Sequence, residues 1–199
     1  MQPVLYSFRR CPYAIRTRMT LAYSNISCDL REVKLQAKPQ ALIDASSKAT
    51  VPVLVLGDQI IDESLDIMYW ALARHDPSQW LPTDTALRAS QQALIADCED
   101  HFKPLLDRYK YADRYPECTA AEHRRNATAF PTQLDQQLQQ RYLFGDQPGI
   151  ADIAIFPFIR QFAFVDINCF EQMPLPALQR WLNELLDSEL FNRVMIKYT

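Results

Sequence analysis

The sequence predicts an α/β domain followed by an all-α domain. Three observations lead there: strand and helix signals alternate up to about residue 76, a proline-containing stretch interrupts them, and only helical periodicity follows. With 199 residues, 48% of them hydrophobic, the chain can bury a core in each part.

Val4 to Phe8 reads as a short apolar strand. Cys11-Pro12 then opens a helix, because proline suits a first helical turn, and Ile15, Met19, Ala22 and Tyr23 continue it. Asp29 to Leu35 reads as a second strand and Pro39 to Ala45 as a short helix. Val51 to Leu56 has the look of a buried strand, and Gly57-Asp58 signals a hairpin turn before Ile60 and Ile61. Ser64 to Ala73 closes the domain as a helix. The order βαβαββα gives a mixed four-stranded sheet with helices on its faces.

Residues 77–84, with two prolines across the stretch from His75 to Asp84, read as a linker. Beyond it Leu87, Leu94, Cys98, Phe102, Leu105 and Tyr109 mark one face of a long helix that Pro104 should kink. Thr119 and Glu122 form a capping box for a helix running toward Arg141. Ile150 to Val165 is apolar enough to be the central helix, Leu178 to Leu186 mark another, and Ser188 caps a last short one. The expected organisation is 1–76, linker 77–84 and helical domain 85–199.

A net charge of -3 gives no reason to expect nucleic acid as a partner. No apolar run reaches the roughly 20 residues of a membrane span. Met1 to Phe8 is too short for a signal-peptide core, and Arg9 and Arg10 follow it, so a cytoplasmic location is expected. Five scattered cysteines without a C-x-x-C pair argue against a disulfide scaffold or a zinc site, and His75, His101 and His123 have no ligand spacing. Three glycines exclude a Gly-rich phosphate loop.

Chemistry concentrates in Arg9-Arg10-Cys11-Pro12-Tyr13-Ala14. A cysteine at a helix N-terminus meets unpaired N–H groups and the positive end of the dipole, which favours its thiolate. Its pKa is therefore expected below the ordinary value, while Arg16 and Arg18 read as solvated helix positions. The segment Cys11 to Leu21 resembles the active-site helix of cysteine-type cytosolic glutathione S-transferases, the omega-like group above all. More distantly it resembles glutaredoxins and the stringent starvation proteins. Lys38-Pro39, Val51-Pro52-Val53 and Asp62-Glu63-Ser64 follow in that family's order and spacing. In the second half, Gly149-Ile150-Ala151-Asp152 is similar to the family's capping box, with glycine in place of its hydroxyl residue.

The resemblance implies a thioredoxin-like first domain, glutathione as co-substrate without a metal, Cys11 as the catalytic thiol, and glutathione held by Lys38, Val51, Pro52, Glu63 and Ser64. The γ-glutamyl carboxylate suits the helix start at Ser64, the ammonium suits Glu63, and the glycyl carboxylate suits Lys38. A cis Pro52 would present the Val51 backbone to the cysteinyl amides. Tyr6 and Ser7 remain as hydroxyl alternatives to Cys11, with strand packing the simpler reading. Ala14 removes any internal resolving thiol.

The expected reaction is thiol transfer, reduction or conjugation of a small electrophile or disulfide. The second substrate is expected in a cleft between the domains, near Phe102, Leu105, Arg108 and Tyr109. A homodimer is expected through Met68, Tyr69 and Leu72 and the long helix after the linker. The alternatives are a non-enzymatic regulator of the stringent-starvation type and a monothiol, glutaredoxin-like reductase.

Overall fold

The computed structural model describes residues 2–197. They divide into two compact units, 2–78 together with 188–197, and 79–187. The division falls inside the segment expected to link the domains. That segment is tied down: the Ser78 N–H donates to the Tyr23 hydroxyl, and the Trp80 carbonyl accepts from Ile150 N–H.

In the first unit, β1 (Val4–Ser7), α1 (Pro12–Tyr23), β2 (Asp29–Glu32), α2 (Gln40–Ala45), β3 (Val53–Leu56), β4 (Gln59–Ile61) and α3 (Ser64–Leu72) follow in order. The sheet runs β2-β1-β3-β4, with β1 parallel to β2 and antiparallel to β3. The period of two along a strand sorts its side chains between two cores. Leu5 and Leu54 pack with Leu21, Ile67 and Ala71 on one face, and Tyr6 and Val53 with Val33 and Leu42 on the other. Gly57, at φ +66°, makes the two-residue turn between β3 and β4. Met68 and Leu72, expected at a dimer contact, are buried in the single chain, and Tyr69 is half-buried.

The second unit contains α4 (Thr85–Asp97), α5 (Lys103–Lys110), α6 (Ala120–Ala127), α7 (Ala129–Gln137), α8 (Ile150–Ala163), α9 (Ile167–Glu171) and α10 (Pro176–Asp187). A π-helical turn at Cys98–Phe102 joins α4 to α5 where Pro104 was expected to kink one long helix. Proline lacks an N–H and its ring crowds the preceding turn, which a widened π turn accommodates. The Thr119–Glu122 capping box forms as read. Helix α8 is central, with only Arg160 and Gln161 of its fourteen residues outside the buried class. Phe156, Phe158 and Phe162 are core residues, but Phe164 is 55% exposed just beyond the helix end. His123 is buried with its ring nitrogen 2.9 Å from the Tyr115 carbonyl.

At the start of α8 the Asp152 carboxylate accepts from Gly149 N–H (2.9 Å), Leu143 N–H (3.0 Å) and the Trp181 indole N–H (2.7 Å). The glycine cap is thus served from the acidic side of the box. Burial nevertheless pushes the Asp152 carboxyl up to about 6.

The last helix, α11 (Glu189–Val194), is capped by Ser188 as read, yet it belongs to the first unit and not to the helical one. Phe191 and Val194 are buried there, and polar contacts add to them: Arg18 Nε donates to the Val194 carbonyl at 3.2 Å, and Arg193 donates to the Ala22 carbonyl at 2.7 Å. No helix among the described residues is long and apolar enough to cross a membrane.

Candidate active site

Cys11 is the N-cap of α1, in extended backbone conformation, with Pro12 at the first helical position. Its N–H donates to the Phe8 carbonyl at 3.0 Å, which closes the loop leaving β1. Its Sγ lies 3.7 Å from the carbonyl oxygen of Val51. The Val51–Pro52 peptide bond is cis, as the resemblance implies. The thiol therefore stands against the backbone that precedes β3.

The helix N-terminus does not set the ionisation of this thiol. Burial pushes it above the ordinary cysteine value, overcoming the Ala14 and Tyr13 N–H groups and the Arg18 and Arg16 charges that pull it down. The expectation of a lowered value came from the local dipole alone; the desolvation penalty is tertiary and larger. In the ligand-free protein, iodoacetamide alkylation of Cys11 is thus expected to be slow at pH 7 and to accelerate only above the range in which an ordinary cysteine ionises. Peptide mapping across that range checks it, and a midpoint below 7.5 would refute it.

Glu63 and Ser64 sit at the start of α3, Glu63 as N-cap and Ser64 as first helical residue. Ser64 is buried, and its hydroxyl oxygen accepts from Arg16 Nη2 at 2.6 Å and Nε at 3.1 Å. A hydroxyl oxygen engaged in this way has its own proton left to donate. Arg16 and Arg18 are themselves buried, a correction to their reading as solvated positions. Arg18 donates to Ser7 Oγ at 2.6 Å and to the Arg9 carbonyl at 2.7 Å, so it holds both ends of the loop before Cys11.

Sequence reasoning also missed Lys48, which bridges Asp62 (3.3 Å) and Glu63 (2.5 Å). Asp62 accepts from Ser46 as well, and that hydrogen bond, ahead of Lys48, holds its carboxyl below the usual value. Lys38 is exposed in the segment before α2. Tyr6 and Ser7 are buried, Tyr6 receiving Arg31 and Ser7 receiving Arg18, in keeping with their reading as packing residues.

The four residues expected near a second substrate have different surroundings within the helical unit. Phe102 stacks on Phe130 and meets Phe162 edge-on, and Tyr109 packs against the same Phe162. Arg108 is exposed and paired with Glu117, while Leu105 is half-buried. Two of the four are core aromatics, selected by the same seven-residue spacing that a lining face would show.

Comparison with known proteins matches both halves. The model of the glutathione S-transferase N-terminal domain covers residues 5–79, and that of the C-terminal domain covers 86–184. A probable maleylacetoacetate isomerase of Caenorhabditis elegans is 30% identical over 93% of this chain and 88% of its own. The glutathione S-transferase omega-1 of Sus scrofa is 23% identical over 92% of this chain and 76% of its own. In fold, the chain is similar to the crystal structure of glutathione transferase Omega 3C from Trametes versicolor, with a TM-score of 0.83 at 20% identity, covering all of this chain and 91% of that one. A cysteine-capped α1 over a mixed four-stranded sheet, an Asp-boxed central helix and matches in both halves place the chain in the glutathione S-transferase family of enzymes.

Proposed function

We propose that the protein is a cysteine-dependent glutathione transferase whose main reaction is thiol transfer. The observation that carries this reading is the approach of Cys11 Sγ to the Val51 carbonyl, which brings the nucleophile to the backbone proposed to receive glutathione. The peptide would lie with its cysteinyl amides along Val51 and Pro52. Its γ-glutamyl carboxylate would meet Ser64 and the N–H groups at the start of α3. Its ammonium would take Glu63, sharing that carboxylate with Lys48, and its glycyl carboxylate would take Lys38.

In the reaction, the Cys11 thiolate attacks the glutathione sulfur of a glutathionyl disulfide. That disulfide breaks, a Cys11–glutathione disulfide forms, and the other thiol leaves with a proton. A second glutathione thiolate then attacks the bound glutathione sulfur, releasing oxidised glutathione and Cys11. Ala14 leaves no internal thiol for the second step. Burial fits this chemistry: it disfavours the charged thiolate but not the neutral mixed disulfide, so the covalent intermediate should accumulate. A thiol of raised pKa is also the more nucleophilic once ionised and the poorer leaving group. The protein is further proposed to act as a homodimer in the cytoplasm.

The relative named maleylacetoacetate isomerase supports a second reading, glutathione-dependent isomerisation of an unsaturated acid at the same site. Calorimetric titration tests the glutathione site common to both. Glu63→Ala, Ser64→Ala and Lys38→Ala are each expected to weaken glutathione binding by about tenfold or more, the scale of a charge-assisted hydrogen bond. Unchanged affinity in all three would remove the site.

A further inference from the structure

The loop that delivers Cys11 has a second, outward side. Phe8, Arg9, Arg10, Glu32 and Lys197 line a pocket of about 180 Å³ within the first unit. Three of the five are cations, and the one carboxylate is already engaged, Glu32 accepting from the Arg9 backbone N–H at 2.8 Å. The Arg9 side chain donates to the Met195 carbonyl at 3.5 Å, which holds the C-terminal wall of the pocket against the loop. The Arg10 guanidinium lies over the Phe8 ring at 5.9 Å, giving it an apolar seat. Arg10 directly precedes Cys11 in the chain, so the pocket and the nucleophile are borne by the same loop.

Building on the thiol-transfer reading, we propose that this pocket is an anion subsite that selects co-substrates carrying a carboxylate. Its volume is below the roughly 300–1,000 Å³ of sites that enclose whole ligands. It fits one acidic arm of a substrate, the reacting sulfur remaining outside at Cys11. A planar guanidinium with a second cation beside it suits a carboxylate in particular. Neither Arg10 nor Lys197 is used in the proposed contacts to glutathione.

The test compares glutathione-dependent reduction of 3,3′-dithiodipropionate with that of the neutral bis(2-hydroxyethyl) disulfide. The wild-type protein should prefer the acid by about tenfold in kcat/KM, the scale of one charge-assisted hydrogen bond. The preference should vanish in the Arg10→Gln/Lys197→Gln double variant and shrink in 0.5 M salt. An equal preference in wild type and variant overturns the inference. So does a rise in the KM for glutathione at unchanged acid preference, which would assign the pocket to glutathione's own carboxylate. Independently of turnover, glutarate should raise the melting temperature of the wild-type protein and not that of the double variant; without that shift the inference falls. If the glutarate shift is present but neither disulfide is reduced, the subsite stands and the thiol-transfer reading fails.

Discussion

Replacement of Cys11 by serine is expected to abolish disulfide reduction, a loss of about three orders of magnitude or more, as when other covalent nucleophiles are removed. A serine hydroxyl at the N-cap of α1 cannot form the mixed disulfide on which the proposed cycle turns. Neither nearby hydroxyl is placed to take over. Tyr6 and Ser7 are both buried, and Ser7 already accepts from Arg18. Conjugation of an aryl halide should not fall in parallel, because the serine hydroxyl can donate a hydrogen bond to the glutathione thiolate. Coupled reductase assays, with mass spectrometry for the Cys11–glutathione adduct in the wild-type protein, decide the matter. Full reductase activity in Cys11→Ser would move the nucleophile elsewhere.

The largest effect on stability is expected at Asp152. Alanine there leaves two backbone N–H groups and the Trp181 indole N–H without their acceptor in the centre of the helical unit. A stranded buried donor costs about 1–3 kcal/mol, so the loss should be about 3 kcal/mol or more. It should appear as a lowered denaturant midpoint with an unchanged m-value. The same group sets a pH dependence. Its carboxyl titrates at about 6 when folded against an ordinary value of 3.8, so the folded state binds more protons between those limits. Stability should therefore fall as pH rises from about 4 to 6 and level off above that. In Asp152→Asn this slope should disappear, at some cost in stability, since the amide nitrogen faces the Gly149 N–H. A wild-type slope of the opposite sign, persisting unchanged in Asp152→Asn, would refute the assignment.

What could be read from the sequence was local. Pro12 at a helix start, Gly57-Asp58 between apolar runs, and the Thr119–Glu122 box each act within a few residues, and each element formed where its signal stood. The errors have the opposite character. Arg16 and Arg18 are two charges half a turn apart in a helix, which suggests solvent; they are buried because Ser64 and Val194, 48 and 176 residues away, receive them. The raised pKa of Cys11 arises in the same way, since its helix terminus is visible in sequence and its burial is not. Lys48 carries no motif at all, and only the folding of the segment before Pro52 brings it to Asp62 and Glu63. Of the candidate site, the residue types were legible; their ionisation and their supports were not.

The hold of Arg18 on Val194 has a consequence for biosynthesis. A chain made from its N-terminus exposes Cys11, Pro52, Glu63 and Ser64 long before α11 emerges, and domains usually fold as they appear. Here the first unit takes its last helix from beyond the helical unit, and the guanidinium that holds Ser7 and Arg9 has its Nε acceptor at Val194. A nascent chain arrested anywhere before that residue would contain every proposed glutathione contact and still lack part of what steadies the Cys11 loop. Competence should thus arrive only once α11 has been made and has docked on α1.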